Sequence, residues 1–189
     1  MVTFLSSSDI LSVSSLHKKE LPGFLSKLGE YFLTEFYKTS LGIPSVFTLV
    51  YKKDGEIAGF ATGVETSRGL LGTFFRENPM GMGSALCFAV LTSPKLIFDI
   101  FKTLAYPGFG HDHAELLSIS VDSKYQRKGI GKELFEETIK EFKKRKINSF
   151  KVSIYDGMSA NSFYKKMGCK LDSSFSFMGS KMNYYSFKI

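Results

Sequence analysis

Tryptophan is absent from this 189-residue chain, and cysteine occurs only twice. Cys87 and Cys169 are too few and too far apart for a disulfide framework or a zinc cluster, and they fit a reducing, cytoplasmic setting. No apolar run reaches the roughly twenty residues that a membrane-crossing helix needs. The run Met82–Leu91 stops at Thr92-Ser93-Pro94-Lys95. The N-terminus lacks a basic segment followed by an apolar run and a small-residue cleavage site, so no secretory signal is expected. Two phosphate-binding patterns are missing as well: the second flanking pattern of a dinucleotide fingerprint, and the Gly-Lys-Ser/Thr ending of a nucleotide-hydrolysing loop. No internal repeat is visible.

What is present suits one globular domain over residues 1–189, long enough to bury a core. Hydrophobic residues make up 43% and charged residues 23%, which is not the composition of a disordered chain. Nineteen Phe and nine Tyr point to an aromatic-rich core or an apolar groove. The net charge of +7 favours anionic ligands. Part of that excess sits in Lys143-Lys144-Arg145-Lys146, at the end of a predicted helix, where cations complement the dipole and solvate easily. Basic residues are not clearly interleaved with aromatics on one face, so no nucleic-acid partner is expected.

Periodicity organises the rest. A short strand opens the chain at Val2–Leu5, and Ser8-Asp9 can cap a first helix. Phe24, Leu25, Leu28, Tyr31, Phe32 and Phe36 recur at helical spacing and predict a helix to about Lys38. Ser45–Lys52 reads as a strand, Asp54-Gly55 as a hairpin turn, and Glu56–Thr66 as the returning strand. Ala114–Val121 is a further strand. A helix over Gly129–Lys146 has Ile130, Leu134, Phe135, Thr138, Ile139 and Phe142 on one face. Ser149–Ile154 is a strand, Ser159–Met167 a compact helix, and the C-terminal stretch a hairpin broken at Gly179-Ser180. The expected fold is a mixed α/β sheet covered by helices. Residues 68–113 depart from this rhythm: the apolar run and a helical-looking Lys95–Leu104 predict a helical insertion before the central strand. The insertion is expected to fold over the domain and shape a pocket, in preference to lying on a membrane surface.

Gln126-Arg127-Lys128-Gly129-Ile130-Gly131 joins the strand Ala114–Val121 to the amphipathic helix. Glycines at such a junction let the backbone turn tightly and bring its N–H groups close to an anion, with the helix dipole adding to the attraction. A phosphate-bearing ligand is expected here.

The order of strand, Gln-x-x-Gly-x-Gly, helix, strand and Asn-containing helix resembles the GNAT acyltransferase superfamily, well over Ala114–Cys169 and more loosely over Val46–Thr66. The resemblance implies a mostly antiparallel central sheet flanked by helices, and transfer of an acyl group, usually acetyl, from coenzyme A to an amine. It implies that Gln126, Arg127, Lys128, Gly129, Ile130, Gly131 and Lys132 surround the pyrophosphate of acetyl-CoA, used as cosubstrate without a metal. Ile119, Ser120 and Val121 would offer backbone hydrogen bonds to the pantetheine arm between this strand and the next. By the same resemblance, Asn161 touches the arm and Tyr164 lies beside the thioester sulfur. A phenol with a pKa of about 10 suits proton donation to a thiolate. Glu115 is the candidate general base, with a water chain as its alternative. Cys169 has no adjacent His or basic pair to activate it and is not read as a nucleophile.

His111-Asp112-His113 lacks a third and fourth metal ligand and is read as an exposed loop, with a proton relay to the site as the second reading. The expected acceptor is a small-molecule amine, such as an amino sugar or another biosynthetic intermediate. The alternatives are a protein amine, at an N-terminus or lysine, and a non-catalytic sensor of acyl-CoA. Oligomeric state is not readable from the sequence.

Overall fold

Alternation of apolar residues gives the sheet two covered faces. In β2 (Val46–Lys53), Val46 and Val50 join one hydrophobic cluster, while Phe47 and Leu49 join the other. That is the two-residue period of a strand buried on both sides. The computed structural model describes residues 1–98, 100, 113–177 and 179–189. His111, Asp112 and the end of the predicted helix at 101–104 lie outside them.

β1 (Val2–Phe4) pairs with β2, and β2 turns at Asp54-Gly55 into β3 (Glu56–Val64). Both turn residues have positive φ, 53° and 81°, as a tight hairpin requires. β4 (Ala114–Val121), β5 (Ser149–Tyr155), β6 (Lys170–Phe177) and β7 (Ser180–Lys188) complete a seven-stranded sheet of order β1-β2-β3-β4-β5-β7-β6. Among the described residues the β4–β5 pair is the one parallel junction, and it is short. Ala114 faces Phe150 and Glu115 faces Lys151, after which the two strands part.

One face is covered by α1 (Ile10–Glu20), α3 (Gly29–Ser40), α4 (Leu70–Glu77) and α5 (Pro79–Thr92), after the short α2 (Phe24–Lys27). The helix predicted from Phe24 is thus two helices, because Gly29 takes a left-handed φ of 92° between them. The 68–113 segment is helical where described, and Asn78 caps α5 by accepting the Gly81 N–H at 2.9 Å. Among the described residues no helix is long and apolar enough to cross a membrane.

The other face is covered by α6 (Ile130–Lys144) and α7 (Ala160–Lys166). Phe142 of α6 is fully buried there, edge-on to Phe47 at 5.0 Å and stacked on Phe150 at 4.8 Å between ring centres. It therefore ties α6 to two strands at once. Phe142→Ala is expected to lower the unfolding free energy by about 3–5 kcal/mol, the range for deleting a buried aromatic ring. Denaturant unfolding followed by circular dichroism measures it.

Candidate active site

The loop before α6 is built to leave amides open. Gly129 has φ of 85°, a left-handed conformation that favours glycine, and Arg127 is also left-handed at 60°. The first bond of the helix runs from the Glu133 N–H to the Gly129 carbonyl at 3.1 Å. The N–H groups of Gly129, Ile130, Gly131 and Lys132 precede it and have no acceptor within the helix. Residues 126–129 are exposed, whereas Ile130 is buried and anchors the turn in the core. A Cβ on Gly131 would meet Phe163 and Val121 at an ordinary 3.7 Å, so internal packing does not demand a glycine there.

Side chains around the loop mostly hold the protein together. The Gln126 amide donates to the Val121 carbonyl at 3.0 Å, fastening the loop to the end of β4. Lys128 donates to the Lys124 carbonyl at 3.0 Å. Its ammonium, with those of Lys53 and Lys124, lies 5.0–5.4 Å from the centre of the Tyr125 ring. Lys132 faces solvent, 3.7 Å from Glu136. From α1, Lys19 reaches Asp122 at 3.1 Å and Glu20 accepts the Ser123 N–H at 3.0 Å, so the first helix braces the same loop.

β4 itself carries a bulge. Thr62 pairs with Ser118 and Gly63 with Leu116, leaving Leu117 as the extra residue. Leu116 belongs to the α6 side, Leu117 to the α1 side, and Ile119 and Val121 to the α6 side again. Ile119, Ser120 and Val121 pair with β3 through Ala61, Phe60 and Gly59. Their opposite edge lies where β5 has departed.

A cavity of about 280 Å³ fills that gap. Its walls include Ile119, Met158 and Ala160 from the cluster under α6, and Leu25, Phe36 and Leu70 from the cluster under α1. The opening thus runs through the sheet and joins its two faces. Glu115, Tyr164 and His17 all line it.

Glu115 is 9% exposed and accepts from the Ser153 hydroxyl at 2.9 Å; Ser67 is its second hydrogen-bond partner. Burial raises its pKa, and the two serines and Lys151 oppose the rise. Tyr164 is almost wholly buried beside Phe163, and among the described residues its hydroxyl has no hydrogen-bond partner. Burial, and then the neighbouring Cys169, push its pKa above the ordinary value of about 10. Burial also raises Cys169 to about 11, which keeps the thiol protonated.

Asn161 is extensively hydrogen-bonded within the protein. Its amide nitrogen donates to the carbonyls of Tyr155, Asp156 and Met158 at 2.8–2.9 Å. Its oxygen accepts from Asn183 and the Tyr185 hydroxyl, both at 3.0 Å. The side chain braces the turn between β5 and α7 and joins it to β7.

His17 was not foreseen from the sequence. Its Nδ1 and the Tyr37 hydroxyl share a 2.7 Å hydrogen bond, its ring stacks on Phe60, and Tyr37 bonds in turn to Ser118 and Thr62. The legible signal was position: with Ile10, Val13 and Leu16, His17 falls on the buried face of α1. His113, the described member of the His-rich stretch, sits just before β4, its carbonyl accepting the Ser67 N–H at 3.1 Å. Among the described residues no group of three or more His, Cys, Asp or Glu could hold a metal.

Residues 12–169 match the Acetyltransferase (GNAT) family. The chain belongs to that family. Solved structures share its GNAT fold at low identity. The ribosomal-protein-S18-alanine N-acetyltransferase from Escherichia coli is 15% identical, covers 100% of this chain and 93% of its own, and has a TM-score of 0.62. An N-acetyltransferase from Staphylococcus aureus Mu50 is 14% identical, with 100% and 97% covered and a TM-score of 0.67. The PaiA N-acetyltransferase from Thermoplasma acidophilum, in complex with coenzyme A, is 16% identical, with 99% and 98% covered and a TM-score of 0.60. Among curated proteins none matches the sequence significantly.

The buried His17 of this GNAT protein has a signature in solution. Burial lowers its pKa from the ordinary 6.5 to about 4, so across that window the unfolded chain binds more protons than the folded one. Its contribution to stability is therefore complete above pH 6.5 and is lost as pH falls toward 4. In His17→Gln the unfolding free energy should fall less steeply than in wild type between pH 6.5 and 4, measured by denaturant titration at each pH.

Proposed function

We propose that this protein transfers an acetyl group from acetyl-CoA directly to the primary amine of a small molecule. The observation that carries this reading is the alignment of an open-amide loop with a gap between β4 and β5 that leads to a buried carboxylate and a buried phenol. The loop suits a diphosphate: the free N–H groups at the start of α6 and the helix dipole attract anions. The left-handed Gly129 sets the turn, and Gly131 leaves room where packing does not require it. Arg127 and Lys128 add positive charge, and the edge of Ile119–Val121 that β5 leaves, apart from the Val121 carbonyl held by Gln126, can bond an amide-bearing arm. The cosubstrate supplies a thioester as the acyl donor.

Glu115 takes a proton from the attacking amine, directly or through one water, and a raised pKa brings a carboxyl nearer the working range of a base. Tyr164, neutral at pH 7, gives its hydroxyl proton to the leaving sulfur. A bond forms between nitrogen and the acyl carbon, the carbon–sulfur bond breaks, and no acyl-enzyme is needed because holding both reactants together already lowers the entropic barrier. Gln126 and Asn161 act as braces for the loop and for the β5–α7 turn. The cavity favours a small acceptor over a protein amine, since among the described residues Glu115 is its one acidic lining residue and an acidic peptide groove is not built there.

Thiol release from acetyl-CoA against grouped amines tests the chemistry. Tyr164→Phe is expected to lower kcat by about 10²–10⁴, the usual worth of a positioned acid. Glu115→Gln should lower kcat/KM and remove the limb of its pH profile that rises at acidic pH. Unchanged turnover in the first variant removes Tyr164 as the acid; an unchanged profile in the second removes Glu115 as the base. Gly131→Val should raise the KM for acetyl-CoA by tenfold or more (about 1.4 kcal/mol) while leaving the fold intact.

A further inference from the structure

The half of the cavity on the α1 side is walled almost entirely by hydrocarbon. Leu21, Phe24 and Leu25 come from the end of α1 and from α2, Phe36 from α3, and Leu70 and Leu71 from α4. These residues are far apart in sequence and converge only in the fold. The polar groups that line the cavity, apart from tyrosine hydroxyls, are His17, Ser67, Glu115, Ser118 and Ser153. Glu115 is already bonded by Ser153 and Ser67, and His17 by Tyr37. Among the described residues no lysine or arginine lines the space.

From this wall we infer that the acceptor is a primary amine carried on an apolar body, a ring or branched chain seated against Phe24, Leu25 and Leu71 with its nitrogen toward Glu115. The inference rests on the acetyl-transfer reading above and narrows its acceptor. An acceptor with a carboxylate or phosphate would bury that charge where, among the described residues, no lysine or arginine meets it. A sugar amine would bury several hydroxyls against leucine and phenylalanine, and each one left unpaired costs about tenfold or more in affinity. An apolar body replaces water along that wall and gains from its burial. The amino sugar suggested by the sequence reading therefore fits this wall poorly. The amine itself is served by Glu115, among the described residues the one carboxylate that lines the cavity. In the transfer, one N–H proton goes to Glu115 and the Tyr164 proton to sulfur, so the step balances without a further reactant.

Thiol release from acetyl-CoA decides it, with 2-phenylethylamine and isopentylamine set against glucosamine, spermidine and a tripeptide beginning with alanine. The apolar amines are expected to show a kcat/KM at least about tenfold above the others. Phe24→Ala is expected to raise the KM for 2-phenylethylamine by about tenfold with kcat nearly unchanged, the mark of lost uniform binding. The KM for acetyl-CoA should stay within about twofold, and a loss of folding would instead lower the apparent kcat for every amine. Leu71→Ala should act in the same direction and serves if Phe24→Ala folds poorly. A hydrophilic amine or the tripeptide matching the apolar amines overturns the acceptor class while leaving acetyl transfer standing. An unchanged KM in both variants overturns the assigned wall. Failure of every amine, with coenzyme A still binding by calorimetry, overturns the acetyl-transfer reading itself.

Discussion

The separation of β4 from β5 after two paired residues governs everything that follows in this molecule. A continued parallel ladder would consume the backbone groups of Ile119–Val121 and close the sheet. Their parting leaves a strand edge without a strand partner inside the fold and a passage between two otherwise separate hydrophobic clusters. The Leu117 bulge shifts the phase of β4, so that Leu116 and Ile119 both serve the α6 side while Leu117 serves the α1 side. Phe142 and Phe135 hold α6 against Phe150 of β5, which keeps the gap from opening along its whole length. At its far end, Lys19 and Glu20 of α1 tie down the loop that leads into α6.

Burial then sets the protonation states around that passage. His17, Glu115, Tyr164 and Cys169 all lie in low-dielectric surroundings that penalise their charged forms. The imidazole is held neutral and the thiol protonated, while the pKa of the Glu115 carboxyl is raised. Charge is kept instead at the loop, where Lys53, Lys124 and Lys128 gather around Tyr125 in contact with solvent. A cationic end and an apolar interior are thus separated along one path.

Much of this was legible beforehand. The Asp54-Gly55 turn, the α6 stripe through Leu134, Phe135 and Phe142, and the Gly129–Gly131 junction each follow from local rules: turn chemistry, helical period and dipole. The matching family and the mixed, mostly antiparallel sheet agree with that reading. Three features were not legible, for separate reasons. Gly29 divides the helix predicted from Phe24, and an isolated glycine inside an apolar period does not reveal its φ. Asn161 is held by partners on β5 and β7 that no spacing could name. His17 belongs to no motif, and its partners Tyr37 and Phe60 stand on other elements.

By itself the sequence determined the elements and the glycine turn before α6, because turns, caps and amphipathic stripes depend on neighbours within a few residues. Which backbone edge stays open, which carboxylate is buried, and which leucines and phenylalanines face one another across the cavity were decided only by the tertiary structure. Those properties are made of contacts between α1, α2, α4 and the strands, and desolvation has no local code: it depends on what the whole fold brings alongside.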